Sequence, residues 1–286
     1  MSSVEIIRPG LWSSVQDLGR FGYTHLGVPH SGVMDSASAV FANGLLNNPE
    51  NAAVLEFTLS GPQLRFNGDS FFVLSGGLVQ ASCDGQGIAR NEVAFAKAGA
   101  VLKIGAITTG SRGYLAVAGG FKTAKMLGSR SMYAPLTQAK LKKGDILPMG
   151  SSGYGQVKGA KIKGGLSSIL PKKNQKIILE VYKGPEYDLL SSSEQEALLQ
   201  PVRVSKLWNR MALQFEEKLQ HGLPEIKTTT VLPGTVQCTP DGSLIVLLND
   251  CQTTGGYPRL LQLAKSSLAV IGQLQTTDKV FWRLLL

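Results

Sequence analysis

Short β-rich apolar runs, bounded by polar turn residues, recur along the whole chain. Dipeptides such as Asn67-Gly68, Asp84-Gly85 and Asp241-Gly242 stand between neighbouring runs and favour tight turns. Short strands at close spacing are typical of antiparallel sheets that close or fold into barrels. The pattern therefore predicts a mainly β protein with strands at Gln63–Phe66, Phe71–Leu74, Val93–Phe95, Val101–Ile104, Gly113–Ala118, Ile177–Tyr182, Leu244–Leu248 and Val280–Leu285.

Helical patterns are few and short. Asp35 or Ser36 can cap a helix with an apolar face that ends near Asn47. Ser193, followed three residues later by Glu196, resembles a capping box for a second short helix, which Pro201 would end. A third helix is predicted over Lys206–Phe215.

Composition supports a globular protein rich in turns. Glycine accounts for 33 of 286 residues, about 12 % against about 7 % in average proteins. A hydrophobic content of 43 % and a mean hydropathy of +0.05 exclude a disordered chain. This length suffices for one large domain or for two domains of ordinary size.

A basic, glycine-rich stretch at 150–176 is the best candidate for the crossing between two halves. Glu56–Pro62 on one side resembles Glu180–Pro185 on the other, since both place a Gly-Pro turn after a strand. We therefore predict two related barrel-like halves at 1–160 and 161–286, with exchange of strands between them left open.

The formal net charge of +9 favours anionic partners. Nucleic acid is not expected, because the basic residues between Lys158 and Lys176 lack the interleaved aromatics that stack on bases. The three cysteines are too scattered for a disulfide framework or a structural zinc site. Without an apolar run of about 18 residues or a secretory signal, we expect a cytoplasmic protein that does not enter the membrane.

The common nucleotide and hydrolase motifs are missing. The sequence has no GxxxxGK[ST] loop, no GxGxxG after a strand and no GxSxG elbow. Any nucleotide would therefore be held in an unfamiliar manner or on another protein of a complex.

Two glycine-rich segments concentrate polar side chains. Gly10–Asp35 and Asn249–Arg259 both interleave glycines with acidic, amide and basic residues. Glycine lets backbone N–H groups approach a ligand closely, and the polar side chains between can converge on it. Tight turns with local hydrogen bonds are the alternative. We predict that both segments contribute to one site for a small anion.

The same segments carry a family signature. Ser14–Tyr23, SVQDLGRFGY, resembles the opening motif of the allophanate hydrolase subunit 2 family. The likeness continues in order through Gly27–Pro29, Ser31-Gly32, Met34-Asp35, Ala42-Asn43, Glu56, Gly61-Pro62, Gly119–Phe121, Leu127–Ser131, Lys143–Asp145, Asn209–Met211, Pro233–Gln237, Asp250 and Thr253–Pro258. That family includes the C subunit of the prokaryotic ATP-dependent 5-oxoprolinase and the carboxyltransferase region of urea carboxylase.

The resemblance implies a pair of cyclophilin-like β-barrels. It also implies ATP-dependent opening of 5-oxo-L-proline to L-glutamate together with the B subunit of 5-oxoprolinase, as direct partner, and its A subunit. Phosphorylation of the unreactive lactam oxygen would create a leaving group, and such transfer requires positioned cations and backbone donors. ATP is the implied cofactor, with Mg²⁺ as an optional second one and no biotin attached to this chain.

Site residues follow from the matching positions. Asp17, Arg20 and Asp250 are the catalytic candidates, and the two carboxylates could hold Mg²⁺ or orient the ring N–H. The candidates for binding substrate or nucleotide are Gln16, Asp35, Arg130, Gln237, Thr253, Thr254, Gly255, Gly256, Tyr257 and Arg259. The alternative for each Arg is an ion pair, and for each Asp a turn cap. Cys251 is a candidate nucleophile or, more commonly for a thiol, a small buried residue.

Two departures from the family pattern keep other functions open. Pro135–Lys140 replaces a Gly-Gly-x-x-Gly-Arg stretch, and Ala212–Gln214 stands where glycine and a second arginine are usual. The alternatives are the carboxyltransferase component of a biotin-dependent carboxylase of urea or acyl type, and a non-catalytic regulator whose partner resembles the B subunit.

Overall fold

The computed structural model describes residues 2–134, 136–137, 140–150, 170 and 175–285. The chain divides into two compact units, the first formed by 1–20 and 31–170 and the second by 21–30 and 171–286. The predicted boundary between residues 160 and 161 lies outside the described residues, as do most of the basic residues between Lys158 and Lys176.

The first unit is a nine-stranded sheet that curls into a half-barrel. Its main path runs β2-β3-β8-β4-β1-β9, and β5 pairs with β6, β7 and β8. The strands are β1 (Ser3–Arg8), β2 (Trp12–Gln16), β3 (Val54–Thr58), β4 (Gln63–Phe66), β5 (Ser70–Cys83), β6 (Gln86–Gly87), β7 (Val93–Ala96), β8 (Val101–Val117) and β9 (Ile146–Pro148).

The sheet of the first unit is buried on both faces around β3, the start of β5 and the end of β8. Its concave face packs around an apolar core that includes Phe57, Phe66 and Phe72. Helix α1 (Ser36–Leu45) covers part of the other face, where Ala42 and Val54 belong to a second buried cluster. Polar residues on that outer face are consequently buried.

The second unit is a closed seven-stranded barrel in the order β10-β17-β14-β15-β12-β11-β18. Closure comes from the parallel pairing of β10 with β18, in which Ile177 lies opposite Val280. The strands are β10 (Ile177–Lys183), β11 (Val202–Trp208), β12 (Ala212–Lys218), β13 (Thr229–Thr230), β14 (Thr235–Cys238), β15 (Ser243–Leu247), β16 (Thr254–Gly255), β17 (Arg259–Leu263) and β18 (Lys279–Leu284). Strands β13 and β16 form a separate two-stranded sheet.

Helices α2 (Ser192–Leu198) and α3 (Lys265–Ile271) accompany the barrel, and single 3-10 turns occur at Thr24–Leu26 and Tyr187–Leu189. Helix α2 is capped by Ser191 and Glu194, two residues before the predicted box. Lys206–Phe215 is not a helix: it comprises the end of β11, a turn and the start of β12. The backbone of this segment is extended because β11 pairs with β12, and β12 pairs with β15.

The predicted fold class is confirmed, since the described residues are mainly β with two barrel-like units and few short helices. None of the helices in the described part of the chain has the length and apolarity to cross a membrane.

Candidate functional site

Asp17 immediately follows β2, and its buried carboxylate accepts four hydrogen bonds. Oδ1 accepts from the N–H of Gly19 at 2.9 Å and from the hydroxyls of Ser129 and Ser131 at 2.6 Å each. Oδ2 accepts from the backbone N–H of Arg130 at 2.7 Å. Asp17 therefore ties the end of β2 to segment 129–131, and all four donors belong to the protein.

Arg20 and Arg130 lie beside this carboxylate cluster. Arg20 is buried, and its Nη2 donates to the carbonyl oxygen of Ser131 at 2.5 Å. Its guanidinium carbon lies 6.0 Å from the centre of the Tyr133 ring. Arg130 donates from Nη1 to the carbonyl oxygen of Thr123 and lines a cavity in the first unit. The structure thus brings together Asp17, Arg20 and Arg130.

Gln16 points its side chain into a buried environment. Its Nε2 donates to Ser14 Oγ at 3.0 Å. Its Oε1 is buried and accepts no hydrogen bond from any residue that the structure describes. Leaving a buried carbonyl oxygen without a hydrogen bond is costly. Oε1 of Gln16 can therefore accept a hydrogen bond from a ligand or a water molecule.

Asp35 is the N-cap of α1. Its carboxylate accepts from the backbone N–H and the hydroxyl of Ser38 at 3.0 and 2.6 Å. Its own N–H donates to the hydroxyl of Tyr114, which in turn donates to Glu56 at 2.9 Å. Glu56 also accepts the N–H of Met34 at 2.8 Å. Asp35 therefore takes the cap role that the sequence offers as the alternative to ligand binding, and the network holds segment 34–35 against the sheet.

Burial of this network affects its tyrosine. The pKa of Tyr114 is raised well above its ordinary value, first by burial and then by the nearby carboxylates of Glu56 and Asp35. Tyr114 therefore remains a neutral hydrogen-bond donor.

Gly32 shows why the first glycine-rich segment needs glycine. Its φ is +90°, and an added Cβ would lie 2.9 Å from backbone atoms of Leu18 and Gly19. The next N–H, that of Val33, donates to the carbonyl oxygen of Asp17 at 2.9 Å. The close approach made possible by glycine is therefore between two parts of the same segment.

In the second unit, Asp250 forms a buried ion pair with Arg210. Arg210 Nε and Nη2 donate to the two carboxylate oxygens of Asp250 at 2.7 and 3.1 Å. The N–H of Asp250 donates back to the carbonyl oxygen of Arg210 at 3.0 Å. A two-pronged pair of this kind fixes both side chains, and both are about nine-tenths buried.

The second glycine-rich segment folds around Gln237. Strand β16 pairs with β13, and the carbonyl oxygen of Thr253 accepts the N–H of Val231 at 3.1 Å. Gln237 Nε2 donates to the carbonyl oxygen of Tyr257 at 3.2 Å. An added Cβ on Gly255 would lie 2.8 Å from this nitrogen. The structure therefore places near one another the predicted residues Gln237, Thr253, Thr254, Gly255, Gly256 and Tyr257.

Arg259 is engaged by Glu186. Its Nε and Nη2 donate to the two carboxylate oxygens at 3.0 and 2.7 Å, and its backbone N–H donates at 2.8 Å. Hydrogen bonding to Glu186 raises the pKa of Arg259. Burial alone would raise the pKa of Glu186, but the hydrogen bonds and charge of Arg259 bring it below its ordinary value. Arg259 thus adopts the ion-pair role given as the alternative.

Sequence reasoning missed the partners Arg210, Glu186, Ser129 and Ser131. Arg210 and the two serines do belong to motifs of the family signature, which was a signal of their importance. Their hydrogen-bond partners are far away in sequence, so spacing alone gave no indication of the pairing.

Cys251 is a buried thiol. Burial, and secondarily the charge of Asp250, raises its pKa to about 12. Burial and Asp241 likewise raise the pKa of Cys238 to about 12. A thiol with such a pKa is almost entirely protonated at neutral pH, which disfavours the nucleophile hypothesis for Cys251.

We expect these thiols to resist labelling in the native chain at pH 8. An unfolded thiol has a pKa of about 8.5. Because Cys238 and Cys251 ionise more readily in the unfolded chain, their contribution to the free energy of unfolding is fully present below that pH. This contribution is lost as pH rises toward their folded pKa of about 12. Labelling with a disulfide reagent at pH 8, with the chain unfolded in guanidinium as control, tests this. Equal labelling rates of Cys238 and Cys251 in the two samples would contradict it.

Each unit therefore holds one cluster of predicted site residues. The first contains Gln16, Asp17, Arg20 and Arg130, and the second contains the Gln237 group with Arg259, while Asp250 pairs with Arg210 in the same unit. That both clusters serve one common pocket stays a prediction.

Comparisons with known proteins agree with the predicted family. The family model of the carboxyltransferase domain, subdomains A and B, matches residues 26–284. The chain is 33 % identical to the C subunit of 5-oxoprolinase from Escherichia coli over 95 % of this chain and 87 % of that protein. Against the C subunit from Haemophilus influenzae, identity is 29 %, covering 92 % and 85 % of the two chains. The crystal structure of Kluyveromyces lactis urea amidolyase matches with a TM-score of 0.88 and 28 % identity, over 99 % of this chain and 19 % of that one. This chain belongs to the carboxyltransferase domain family, with its subdomains A and B.

Proposed function

We propose that this chain is the C subunit of an ATP-dependent 5-oxoprolinase, which opens 5-oxo-L-proline to L-glutamate together with the A and B subunits. The observation that carries the proposal is the extent of similarity. The match spans 95 % of this chain and 87 % of the Escherichia coli protein, so the two correspond over most of their lengths. In contrast, its match to the yeast urea amidolyase covers 7 % of that protein.

The three predicted arginines differ in the groups that their guanidinium groups contact. Arg259 is neutralised by Glu186, and Arg20 is buried against a backbone carbonyl. Arg130 lines a cavity, and no carboxylate among the described residues forms an ion pair with it. Arg130 is therefore the guanidinium that we assign to an anionic group of the substrate, with Asp17 holding its backbone in place.

The residues predicted for Mg²⁺ do not fit that ion. Mg²⁺ is usually bound through one or two carboxylates together with phosphate oxygens. The oxygens of Asp17 accept four protein donors, and those of Asp250 face Arg210. Ligation by either side chain would require breaking these bonds.

We accordingly assign nucleotide binding to a partner protein in the complex. On this proposal the present chain binds and orients the lactam, while ATP and any Mg²⁺ are held elsewhere. The sequence supports this assignment, since it lacks the common phosphate-binding loops.

Reconstitution tests the function. The purified chain is mixed with the A and B subunits from the same organism, and ADP and glutamate are measured with and without 5-oxo-L-proline. We expect both products to depend on 5-oxoproline and on each of the three proteins. If the complete mixture produces no 5-oxoproline-dependent ADP or glutamate, the proposal is wrong.

A second candidate is the carboxyltransferase component of a biotin-dependent carboxylase. The structural match to urea amidolyase over 99 % of this chain favours it. The sequence has no Ala-Met-Lys-Met biotin-attachment motif, so the carrier would be another protein. Turnover of carboxybiotin by the chain would support this candidate.

A further inference from the structure

A cavity in the first unit lies where the half-barrel is open. Strands β2 and β9 are the first and last in the strand order of its main path, and residues from both line the cavity. The cavity has a volume of about 260 Å³. This equals the liquid volume of about nine water molecules at roughly 30 Å³ each, so it suits a small ligand.

The cavity walls are largely aliphatic. Val15 comes from β2 and Leu147 from β9. Met132 and Leu141 come from the segment between β8 and β9. The N–H of Met132 donates to the carbonyl oxygen of Val15, and that of Leu141 to Ser13, at 2.9 Å each. These bonds attach the backbone at Met132 and at Leu141 to the edge of β2, so this wall of the cavity is held in place by backbone hydrogen bonds.

The charge that lines the cavity is positive. Arg130 and Lys140 both line it, and none of the described lining residues carries a carboxylate. Arg130 is oriented by its hydrogen bond to the carbonyl oxygen of Thr123 and by the bond of its N–H to Asp17. Lys140 Nζ lies 5.5 Å from the centre of the Trp12 ring. A cation beside apolar walls binds an anion more strongly than it would in open water.

One hydroxyl in the lining has unmet hydrogen-bonding capacity. Thr123 Oγ1 is buried and has no hydrogen-bond partner among the residues that the structure describes. Buried hydroxyls are normally hydrogen-bonded, because leaving one unsatisfied is costly. Its residue also supplies the carbonyl that orients Arg130, so the hydroxyl and the guanidinium belong to the same corner of the cavity.

We propose that this cavity binds a small organic monocarboxylate. The carboxylate accepts hydrogen bonds from Arg130 and Thr123, and the hydrocarbon or lactam body lies against the aliphatic walls. All residues that line the cavity belong to the first unit. Where the proposed function also holds, 5-oxoproline is a ligand of this class and the cavity is its binding site.

Calorimetric titration of the chain alone tests the site. The probes are 5-oxo-L-proline and cyclopentanecarboxylate, and the control ligand is cyclopentanecarboxamide, which has the same shape without the charge. We expect saturable binding of at least one carboxylate at one site per chain. Because hydrogen bonds to charged groups are strong, the carboxamide should bind at least tenfold more weakly.

Variants assign the binding to the cavity. Arg130→Gln should weaken carboxylate binding at least tenfold, Arg130→Lys less, and Thr123→Val several-fold. The matched control is Lys125→Gln, which removes one charge from an exposed lysine outside the lining. Circular dichroism and thermal melting confirm that each variant is folded before it is titrated.

Three results would overturn the inference: no saturation by either carboxylate, equal binding of the carboxamide, or equal affinities of the Arg130→Gln and Lys125→Gln variants. Because the titration needs neither ATP nor partner proteins, it separates the two proposals. Binding without 5-oxoproline-dependent ATP hydrolysis in the reconstituted mixture contradicts the proposed function alone. Hydrolysis with no carboxylate binding to the cavity contradicts the site alone.

Discussion

Replacing Asp250 with alanine is expected to lower the free energy of unfolding of the second unit by about 3 to 5 kcal/mol, because this leaves a buried charge without its partner. Arg210 is 7 % exposed and donates two hydrogen bonds to Asp250. In the variant its guanidinium would lose both of these hydrogen bonds while it remains buried, or would break the local packing to reach water. The Asp250 N–H that donates to the Arg210 carbonyl would persist, so the backbone link is not the source of the loss.

Urea unfolding followed by tryptophan fluorescence measures this effect. Trp208 and Trp282 lie in the second unit, and replacing Trp12 with phenylalanine removes the signal of the first. The matched control is Asp188→Ala, whose ion pair with Lys183 is exposed and should change stability by less than about 1 kcal/mol.

A double variant separates loss of the pair from loss of packing. Replacing Arg210 with methionine and Asp250 with leucine removes both charges, and we expect it to recover much of the lost stability. If Asp250→Ala and Asp188→Ala have equal effects, the buried pair is not a stabilising element of the second unit.

Local signals were sufficient to predict α1. Asp35 and Ser38 are three residues apart, and the cap bond between them depends only on local geometry. The capping box of α2 was predicted two residues late, because the stretch offers two Ser-x-x-Glu patterns and only Ser191 and Glu194 form the reciprocal bonds. Helix α3 was missed, since its N-cap Ala264 supplies no side-chain cap.

Strand lengths were harder to predict than strand positions. Strand β5 covers 14 residues and β8 covers 17, although only parts of each were predicted. Glycines interrupt both segments in sequence and suggest turns. In the structure, the β5–β8 pairing continues past Gly76 and Gly113 through irregular register, so those glycines lie within strands.

The outer face of the first sheet carries a row of buried polar residues. Ser14, Glu56, Tyr114 and Ser75 are neighbours across four adjacent strands. Tyr114 also belongs to the apolar cluster beneath α1, so this row lies partly under the helix. Its polar groups satisfy one another and the backbone of segment 34–35. Sequence alone cannot distinguish such a buried network from a ligand site, because both require closely spaced polar residues.

The site residues were predicted in groups but without their partners. Ser131 lies 114 residues from Asp17, Arg210 lies 40 from Asp250, and Glu186 lies 73 from Arg259. The fold sets these contacts, and the spacing of residues carries no information about them. The glycine-rich segments did identify where the carboxylates and arginines are concentrated.

Replacing Asp17 with alanine is expected to lower the turnover of the reconstituted enzyme by about 100-fold or more, since small displacements of positioning groups have effects of that size. Asp17 holds Ser129, Arg130 and Ser131 through four hydrogen bonds, and the carbonyl of Ser131 in turn holds Arg20. Loss of the carboxylate therefore loosens both the backbone that carries Arg130 and the carbonyl that holds the Arg20 guanidinium. Ser131→Ala, which removes one of the four donors, should reduce turnover much less.

The measurements are 5-oxoproline-dependent ADP release by the mixture and carboxylate binding by the chain alone. The control is Asp84→Ala, because Asp84 is also in the first unit and accepts a backbone N–H at 2.8 Å, but is exposed. That variant should keep full turnover. Binding in the cavity should weaken in Asp17→Ala, since the backbone of Arg130 loses its hydrogen bond to the carboxylate. If the chain is instead a regulator with no catalytic role, Asp17→Ala should leave turnover unchanged. Full turnover and full binding by Asp17→Ala would mean that the four-donor carboxylate positions neither arginine.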